Sequence, residues 1–433
     1  MIATLIISIT TFILITLSIL FFPMIRIKNF KIGTYWIIAL IGALILIIFR
    51  LVPFENVFNE LTSDSKINPL KILILFFSMT LLSIFLDEAG LFKYLANKAL
   101  IIAGKNQIKL FIILYILTSI LTVFTSNDIV ILTLTPFICF FCKNANINPI
   151  PYLVSEFAAA NTWSMMLIIG NPTNVYLATS ASINFIDYLK IMALPTLLAG
   201  ITEFILIVLL FYKQLKNEIT PNITDYKIED KPELIIGVIH LLICLILLII
   251  SSYINLEMWL ASFICAASLL IIITTLRLKK KRKRRQLPHL IMALPWQLVP
   301  FMIAMFVIVV AIKYQGIALK IGEILGNDLT IIKYGYSSFV AANIINNIPM
   351  AILFSSLPIN LEGIIYQRAI FSSIIGSNIG AFLTPIGALA GIMFTNLTKA
   401  YDVKYGFKEF IKYGIIISIP TISVALATLM IML

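Results

Sequence analysis

The sequence is poor in charge, and this scarcity limits the classes of protein to which it can belong. Only 12% of its 433 residues are Asp, Glu, Lys or Arg, whereas 61% are hydrophobic. A soluble chain of this length would divide into domains with charged surfaces. Many stretches of about 20 residues carry no charge, which is the length that a helix needs to cross a bilayer. The composition therefore predicts a membrane protein with several spans.

Cysteine and histidine are also scarce, which argues against metal and thiol chemistry. The four cysteines all lie in apolar stretches, and Cys139 and Cys142 have no histidine nearby. We interpret them as core thiols and expect no metal site and no cofactor. The sequence has neither a Gly-x-x-x-x-Gly-Lys motif nor a Gly-x-Ser-x-Gly motif. Any ATP chemistry would therefore be external, and an enzyme is the least favoured interpretation.

The positive net charge of +12 indicates membrane orientation and not nucleic-acid binding, because the chain offers no soluble domain with a basic face. If the N-terminus lies outside, 24 of the 32 Lys and Arg residues fall in cytoplasmic segments. The basic run at 277–285 supplies eight of them, and the remaining split of 16 to 8 still favours this orientation. We predict a multi-pass protein of the plasma membrane, or of the inner membrane if the cell has two.

Apolar segments form two similar series. Uninterrupted spans are predicted at residues 1–22, 33–52, 69–86, 190–212, 234–252, 258–276, 290–313 and 412–433. Four apolar regions contain polar breaks, at residues 110–142, 150–182, 329–358 and 369–397. We expect an all-α protein with a first repeat at 1–212, a cytoplasmic linker at 213–232 and a second repeat at 233–433. If one broken region of each repeat is a re-entrant hairpin and another a discontinuous helix, each repeat crosses five times. Because five is odd, the second repeat is inverted.

The breaks carry matched polar residues. In the first half, Thr125-Ser126-Asn127-Asp128 is followed by Asn161 and by residues 170–174, Gly-Asn-Pro-Thr-Asn. In the second half, residues 346–349, Asn-Asn-Ile-Pro, are followed by Asn378 and by residues 384–387, Thr-Pro-Ile-Gly. Nine positions separate Asn161 from Gly170 and also Asn378 from Gly387. A matched pair of broken helices indicates the binding site of a secondary transporter.

We therefore predict that the residues at the breaks bind a substrate or an ion. These residues are Ser126, Asn127, Asp128, Asn161, Gly170, Asn171, Thr173, Asn174, Asn346, Asn347, Asn378, Thr384 and Gly387. Unwound backbone frees carbonyl groups for cations and N–H groups for oxyanions, while amides and hydroxyls serve either. The alternative is that these side chains only satisfy the interrupted backbone. The matched spacing favours a site.

Three acidic residues are candidates for proton coupling. Asp128 follows the tip of the first hairpin, where a proton or cation can neutralise it; alternatively, it caps the second half of the hairpin. Glu156 begins a turn that leads to Asn161, although it also suits a helix entry near the interface. Glu203 lies in the middle of an apolar span and serves either an ion pathway or a neighbouring helix.

At these residues the chain resembles the arsenite-permease and NhaD-type branch of the ion transporter superfamily, which is related to the divalent anion/sodium symporters. Ser126-Asn127-Asp128, with Pro136 beyond it, resembles the first hairpin motif of that branch. Residues 170–174 resemble its first broken-helix motif. Residues 346–349 and 376–387 resemble the second-half counterparts.

The resemblance implies a scaffold domain and a mobile transport domain, commonly in a homodimer. It implies a secondary active transporter for a small molecule or ion, with proton-coupled efflux of arsenite or a similar metalloid hydroxide as the leading interpretation. Dicarboxylate relatives have Ser-Asn-Thr at the hairpin tip, and the acid at Asp128 favours proton coupling. A sodium/proton antiporter and a citrate or dicarboxylate permease remain alternatives. A channel subunit driven by an external ATPase also remains open.

Overall fold

The protein is almost entirely helical. A computed structural model describes residues 1–22, 24–27, 30–62, 68–219, 227–251, 253–254, 256–279, 286–358 and 360–433. Within these ranges it contains twenty α-helices and a small antiparallel pair of strands, β1 (Met24–Ile27) and β2 (Phe30–Gly33). Part of the predicted linker, residues 220–226, and most of the basic run, residues 280–285, lie outside the described residues.

The first half contains ten α-helices. They are α1 (Ile2–Phe21), α2 (Thr34–Ile48), α3 (Phe54–Thr62), α4 (Pro69–Glu88), α5 (Leu91–Ala103), α6 (Gln107–Phe124), α7 (Asn127–Asn144), α8 (Ile150–Trp163), α9 (Pro172–Ser180) and α10 (Phe185–Leu215). A short 3₁₀ turn, Ile168–Gly170, lies between α8 and α9.

The second half also contains ten α-helices among the described residues. They are α11 (Lys231–Ile250), α12 (Met258–Lys279), α13 (Gln286–Met292), α14 (Leu298–Tyr314), α15 (Ile317–Leu325), α16 (Thr330–Ile345), α17 (Asn347–Phe354), α18 (Gly363–Gly380), α19 (Leu389–Ala400) and α20 (Phe407–Met432).

Several helices begin at residues whose chemistry specifies a start. Asn68, Asn106 and Asn184 cap α4, α6 and α10 by accepting backbone N–H hydrogen bonds of 2.8 to 2.9 Å in the first turn. Such caps satisfy donors that the first turn of a helix leaves free. The short helices α5 and α15 each follow a glycine with positive φ, Gly90 at 84° and Gly316 at 71°. These glycines permit a sharp turn between a long helix and a short one.

Six helices are long and apolar enough to cross a membrane: α4, α6, α10, α11, α12 and α20. Together α14 and α15 also meet this test, but they are bent by 78°. The structure is thus that of an all-α polytopic membrane protein. The apolar segments of α1 and α2, Ile2–Ser18 and Thr34–Ile48, are shorter than those of the six long helices. The 15 residues of α2 extend about 22 Å, which is less than the roughly 30 Å of the hydrocarbon core.

The predicted spans coincide with helices except at residues 290–313. There the chain forms two helices, α13 and α14, separated by a segment that contains Pro295. Proline lacks a backbone N–H and cannot continue a regular helix. The prediction of one uninterrupted span was therefore wrong at this position.

The chain breaks in all four predicted regions. Residues 125–126 separate α6 from α7, and Asn346 separates α16 from α17. The 3₁₀ turn lies in the gap between α8 and α9, and residues 381–388 separate α18 from α19. Asn346 has a φ of 72°, a left-handed conformation that is uncommon for residues other than glycine.

Helices of one half pack on helices of the other in reciprocal pairs. Helix α2 packs on α14 and α4 packs on α12, while α7 packs on α19 and α9 packs on α17. Helices α10 and α20 pack on each other. The ring centroids of Phe211, late in α10, and Tyr413, early in α20, are 5.1 Å apart, so these two helices run antiparallel.

Helices α16 and α18 pack closely through small residues. A Cβ atom on Gly376 would lie 2.0 Å from Ser338 Oγ and 2.2 Å from the Gly335 carbonyl oxygen. Only a glycine therefore permits this approach. Small residues at such crossings are typical of helix pairs in membranes.

Candidate functional site

The two broken helices meet at Asn378, which is fully buried near the end of α18. Its Oδ1 accepts hydrogen bonds from Asn171 Nδ2 and Ser164 Oγ, both at 2.9 Å. Its Nδ2 donates to Asn174 Oδ1 at 2.6 Å and to the Ile374 carbonyl at 2.8 Å. All four hydrogen-bonding positions of this amide are thus occupied, and three of them join the two halves.

The first break is held by its own polar residues. Asn171 caps α9 by accepting from the Thr173 N–H and hydroxyl, both at 3.1 Å. Asn174 Nδ2 donates to the Ser164 carbonyl at 2.7 Å. A Cβ on Gly170 would lie 2.4 Å from that same carbonyl, so the chain returns here close to its own backbone. For these residues the predicted role and the alternative, satisfaction of the broken backbone, are both compatible with the geometry.

The tip of the first hairpin contacts the first broken helix. Asn127 Nδ2 lies 3.3 Å from Asn161 Oδ1, and Asn127 Oδ1 accepts from the Asp128 N–H at 2.9 Å. Asn161 is anchored in turn by a 2.8 Å bond to the Phe157 carbonyl. The Ser126 hydroxyl is buried and has no hydrogen-bond partner among the described residues. A buried hydroxyl without a partner is a candidate for contact with a bound molecule.

The tip of the second hairpin contacts the second break through backbone groups. Asn346 Nδ2 donates to the Ile386 carbonyl at 2.9 Å, and its Oδ1 caps α17 at Ile348 N–H. The Asn347 N–H donates to the Gly387 carbonyl at 3.0 Å. The sequence prediction had placed these residues together, and they do lie together. Their function as ligands stays a prediction.

The structure adds Asn343 to this group, a residue that the sequence analysis missed. It lies in α16, one turn before the hairpin tip. Its Oδ1 accepts from the half-buried Thr384 at 2.7 Å, and its Nδ2 donates to the Phe339 and Gly380 carbonyls at 2.9 Å. The available signal was an Asn within an apolar helix, three residues before the motif at 346–349.

Ser377 lies in the motif at 376–387 but was not among the predicted binding residues. Its hydroxyl is buried without a hydrogen-bond partner in the described part of the chain, beside the fully bonded Asn378. Buried polar atoms are nearly always paired, so such a hydroxyl is a candidate for contact with a bound molecule. Ser126 and Ser377 thus give each half one unpaired hydroxyl near its polar cluster.

Glu203 lies in a hydrogen-bonded network at the middle of α10. Its side chain is fully buried and accepts a short hydrogen bond from Thr162, the neighbour of Asn161. The Tyr115 hydroxyl lies 3.2 Å from Glu203 Oε1 and 2.7 Å from the Gly200 carbonyl, and it accepts from Trp163 Nε1 at 3.1 Å. Glu203 therefore faces the first broken helix and not only a neighbouring apolar helix.

The other two acids differ in their surroundings. Glu156 is buried, and both of its carboxyl oxygens lie 2.9 Å from the Thr135 hydroxyl in α7. Asp128 is half-buried, and its carboxylate makes no hydrogen bond or ion pair with the described residues. Of the three acids, Asp128 has the carboxylate that is most available to a proton or cation. Within the described residues there is no cluster of three His, Cys, Asp or Glu side chains that could hold a metal.

The fold and the polar centre are those of a polytopic α-helical membrane transporter. The family model of the citrate transporters matches residues 19–376, so the chain belongs to the citrate transporter family. This membership and the long apolar helices place it in the plasma membrane as a multi-pass protein.

The chain is also similar to proteins named for arsenic and silicon transport. The arsenical pump membrane protein of Escherichia coli is 24% identical over 370 residues, which cover 82% of this chain and 84% of that protein. The putative transporter arsB of Dictyostelium discoideum is 29% identical over 179 residues, which cover 41% of this chain and 30% of that protein. The silicon efflux transporter LSI3 of Oryza sativa subsp. japonica is 27% identical over 180 residues, covering 41% and 35%.

Proposed function

We propose that this transporter exports arsenite or a similar metalloid hydroxide in exchange for inward-moving protons. The observation that carries the proposal is the chemistry of the breaks, which contain amides and backbone groups bonded to one another and, at Ser126 and Ser377, buried hydroxyls without a partner among the described residues. Residues 110–142, 150–182 and 369–397 contain no Lys or Arg. In the fourth broken region Lys333 is paired with Asp328 at 2.8 Å. Such surroundings suit an uncharged solute that forms hydrogen bonds better than a multiply charged anion.

The names of the relatives support the same chemistry. One is named as an arsenical pump and another as a silicon efflux transporter. Arsenite and silicic acid are both small hydroxides without net charge near neutral pH. A cluster of amide and hydroxyl groups can bind either one through hydrogen bonds. The four cysteines are buried and free, and none is among the residues at the breaks.

A neutral substrate requires a coupled ion if it is to be exported uphill. The membrane potential does no work on the substrate itself, whereas each proton contributes about 2.3 kcal/mol per 100 mV. Asp128, Glu156 and Glu203 are the candidate carriers of this proton. The Tyr115 hydroxyl has only one proton to donate. When it donates that proton to the Gly200 carbonyl, a hydrogen bond between Tyr115 and Glu203 requires that the Glu203 carboxyl group be protonated and act as the donor. Protonation of Glu203 is thereby coupled to the hydrogen bonding of the first broken helix.

The proposal includes two inverted repeats, at 1–212 and 233–433, joined by a cytoplasmic linker at 213–232. The reciprocal helix pairs support it. The second span of each half packs on the third span of the other, and each second hairpin limb packs on the far segment of the other half's broken helix. The antiparallel packing of the closing helices α10 and α20 agrees with a two-fold axis in the membrane plane. In this arrangement the hairpins α6–α7 and α16–α17 re-enter from opposite sides.

We place the N-terminus outside, because this orientation puts most of the basic residues in the cytoplasm. The resemblance to the ion transporter superfamily adds a homodimer to the proposal. An external ATPase subunit is a further hypothesis, and it predicts transport that requires ATP in addition to an ion gradient. Arsenite uptake by purified protein in vesicles without ATP would exclude an obligatory ATPase.

A citrate or dicarboxylate permease is the second candidate function, favoured by the family to which the chain belongs. The sodium/proton antiporter is the remaining alternative of the same architecture. The test compares uptake of arsenite, silicic acid and citrate into everted vesicles under an imposed pH gradient, with and without sodium. Proton-driven uptake of a hydroxide without sodium supports the proposal. Uptake of citrate alone, or only sodium-driven proton movement, contradicts it.

A further inference from the structure

Two cavities of similar size lie at corresponding places in the two halves. The α10 cavity has a volume of about 350 Å³ and is lined by Thr179, Ser182 and Asn184, at the end of α9 and the start of α10. The α20 cavity has about 340 Å³ and is lined by Asn396, Lys399 and other residues at the end of α19 and the start of α20. Both are large enough for a small hydrated solute.

The correspondence extends to individual residues. The offset between Asn161 and Asn378 is 217 positions, as is that between Gly170 and Gly387. The same offset relates Thr179 to Asn396 and Ser182 to Lys399. Each member of these two pairs lines one of the two cavities. The cavities therefore share the part of the repeated architecture formed by α9–α10 and α19–α20, while the rest of the α10 cavity is lined by α4 and by second-half residues such as Ser251 and Trp259.

The two cavities lie at opposite ends of the antiparallel pair α10 and α20. Phe211 contacts Tyr413 near the start of α20, and it follows the start of α10 by 26 positions. Tyr413 in turn follows the start of α20 by six positions, so at 1.5 Å per residue the two helix starts are about 48 Å apart along the pair. This separation slightly exceeds the full thickness of a bilayer with its headgroups, which is about 40–45 Å.

Only one cavity reaches a break. Pro385 and Ile386, the central residues of the second break, line the α20 cavity. The carbonyl of Ile386 accepts the hydrogen bond from Asn346 at the second hairpin tip. The α10 cavity instead ends at Thr179, about 10 Å along α9 from the first break. In this conformation the polar centre is therefore approached from the α20 side.

One wall of the α20 cavity is polar. Thr395, Asn396 and Lys399 lie on one face of α19, whereas apolar and aromatic side chains, among them Phe407 and Phe410, line other parts of the cavity. Lys399 has no acidic partner within salt-bridge distance in the part of the chain that the structure describes, whereas Lys71 in the α10 cavity is 2.8 Å from Glu257. A hydroxyl, an amide and an unneutralised ammonium group together suit a small solute rich in oxygen, such as a metalloid hydroxide or a carboxylate.

We propose that the α20 cavity is the cytoplasmic entry vestibule for the transported solute and that the α10 cavity is its counterpart on the outer face. This inference rests on the proposed transport function. A solute enters beside Asn396 and Lys399 and reaches the second break at Ile386. The α10 cavity is separated from the breaks in this conformation and opens to them after the transporter reorients.

The test is sided labelling of Asn396→Cys and of Ser182→Cys with a membrane-impermeant sulfonated maleimide. The four native cysteines are buried, which keeps background labelling low. We expect Asn396→Cys to react at least about tenfold faster in inside-out than in right-side-out vesicles, and Ser182→Cys to show the reverse. Reaction of both from the same side would overturn the proposal, whether or not transport is detected.

Occupancy by solute is tested on the same variants. Silicic acid, a hydroxide that does not compete for thiols, and citrate are added to inside-out vesicles. We expect one of them to slow labelling of Asn396→Cys severalfold and to leave the exposed control Lys408→Cys unchanged. If neither protects although one is transported by the parent, the entry role is wrong and the transport function stands. If neither is transported but one protects, the vestibule stands and the proposed substrates are wrong.

Discussion

The two halves share a framework of breaks but differ in their acids. Asp128, Glu156 and Glu203 all lie in the first half. If Asn127 corresponds to Asn347, the position of Asp128 is occupied by Ile348 in the second half. At the offset of 217 positions, Ser373 and Pro420 replace Glu156 and Glu203. Helices α16 to α19 contain no Asp or Glu. The comparison suggests that solute binding is shared between the halves, whereas proton binding belongs to the first.

The packing of the halves differs in the same sense. Gly376 permits close packing of α18 on α16, and its counterpart at the same offset is Ala159 in α8. At this position α18 and α16 therefore approach each other more closely than the alanine permits in the first half. In the first half, the polar network of Glu203, Tyr115 and Thr162 lies between helices instead. The hydrogen bonds of such a network can rearrange when a proton binds to Glu203. The close contact between α16 and α18 at Gly376 contains no group that could respond to a proton in this way.

The largest effect is expected for Asn378→Ala, which removes the side-chain hydrogen bonds that connect the two halves. It leaves Asn171 Nδ2 and Asn174 Oδ1 without their partner, each at a cost of about 1–3 kcal/mol, whereas the Ser164 hydroxyl keeps its 2.7 Å bond to the Asn161 carbonyl. We expect transport to fall about 100-fold, because the roughly 2.7 kcal/mol that this factor represents lies within the range of two such losses. The measurement is initial uptake per unit of inserted protein. The control is Asn327→Ala, at an exposed loop position. Normal transport by Asn378→Ala would show that the hydrogen bonds of Asn378 between the halves are not needed for transport.

Glu203→Gln should reduce proton-driven transport about tenfold, a change equal to about 1.4 kcal/mol in the barrier. Glutamine preserves the shape and the contact with Thr162 but cannot exchange a proton. The transport rate should also depend less steeply on the pH difference across the vesicle membrane. The matched variant in the second half, Pro420→Ala, should leave this dependence unchanged. If the two substitutions had equal effects, the assignment of proton binding to the first half would be wrong.

Gly376→Ala should destabilise the second half by about 1–3 kcal/mol, because the added Cβ overlaps Ser338 and Gly335. The reciprocal change in the first half, Ala159→Gly, should cost only about 0.5–1 kcal/mol through backbone entropy. Thermal unfolding of both variants in detergent measures the difference. A larger loss for Ala159→Gly would show that the first half is the more tightly packed.

Glu156→Gln is expected to have the smallest effect, about a twofold change in rate, since the amide oxygen can still accept from Thr135. Ser373→Ala is the second-half counterpart and should leave transport unchanged. The comparison uses pH-gradient-driven uptake at matched protein levels. A loss as large as that of Glu203→Gln would make Glu156 a principal proton carrier.

Much of the fold could be predicted because apolar length and polar interruption act locally. All four breaks were found from sequence, and most predicted spans match helices within a few residues. The split of 290–313 was missed because an apolar stretch masks the effect of one proline. The lengths of α10 and α18 were underestimated, since polar residues at their starts are tolerated in helices that extend beyond the apolar core.

The contacts within the site were less predictable. Spacing alone suggested that Asn378 belongs with residues 384–387, but its bonds to Asn171, Asn174 and Ser164 depend on how closely the halves approach. The link from Glu203 to Thr162 and Tyr115 likewise joins helices that are distant in sequence. Asn343 lacked a counterpart in the first-half motif and was therefore overlooked. Side-chain geometry between repeats cannot be obtained from the periodicity of one chain.

The central claim is that both halves bind the solute whereas only the first half binds the proton. Arsenite-driven proton movement in proteoliposomes tests this claim most directly. A pH-sensitive dye records protons while an arsenite gradient is imposed, for the parent and for Asp128→Asn. We predict that the parent moves protons against the flow of arsenite. Asp128→Asn should still exchange labelled for unlabelled arsenite but move no protons. Proton movement by Asp128→Asn at the parental rate would contradict the account.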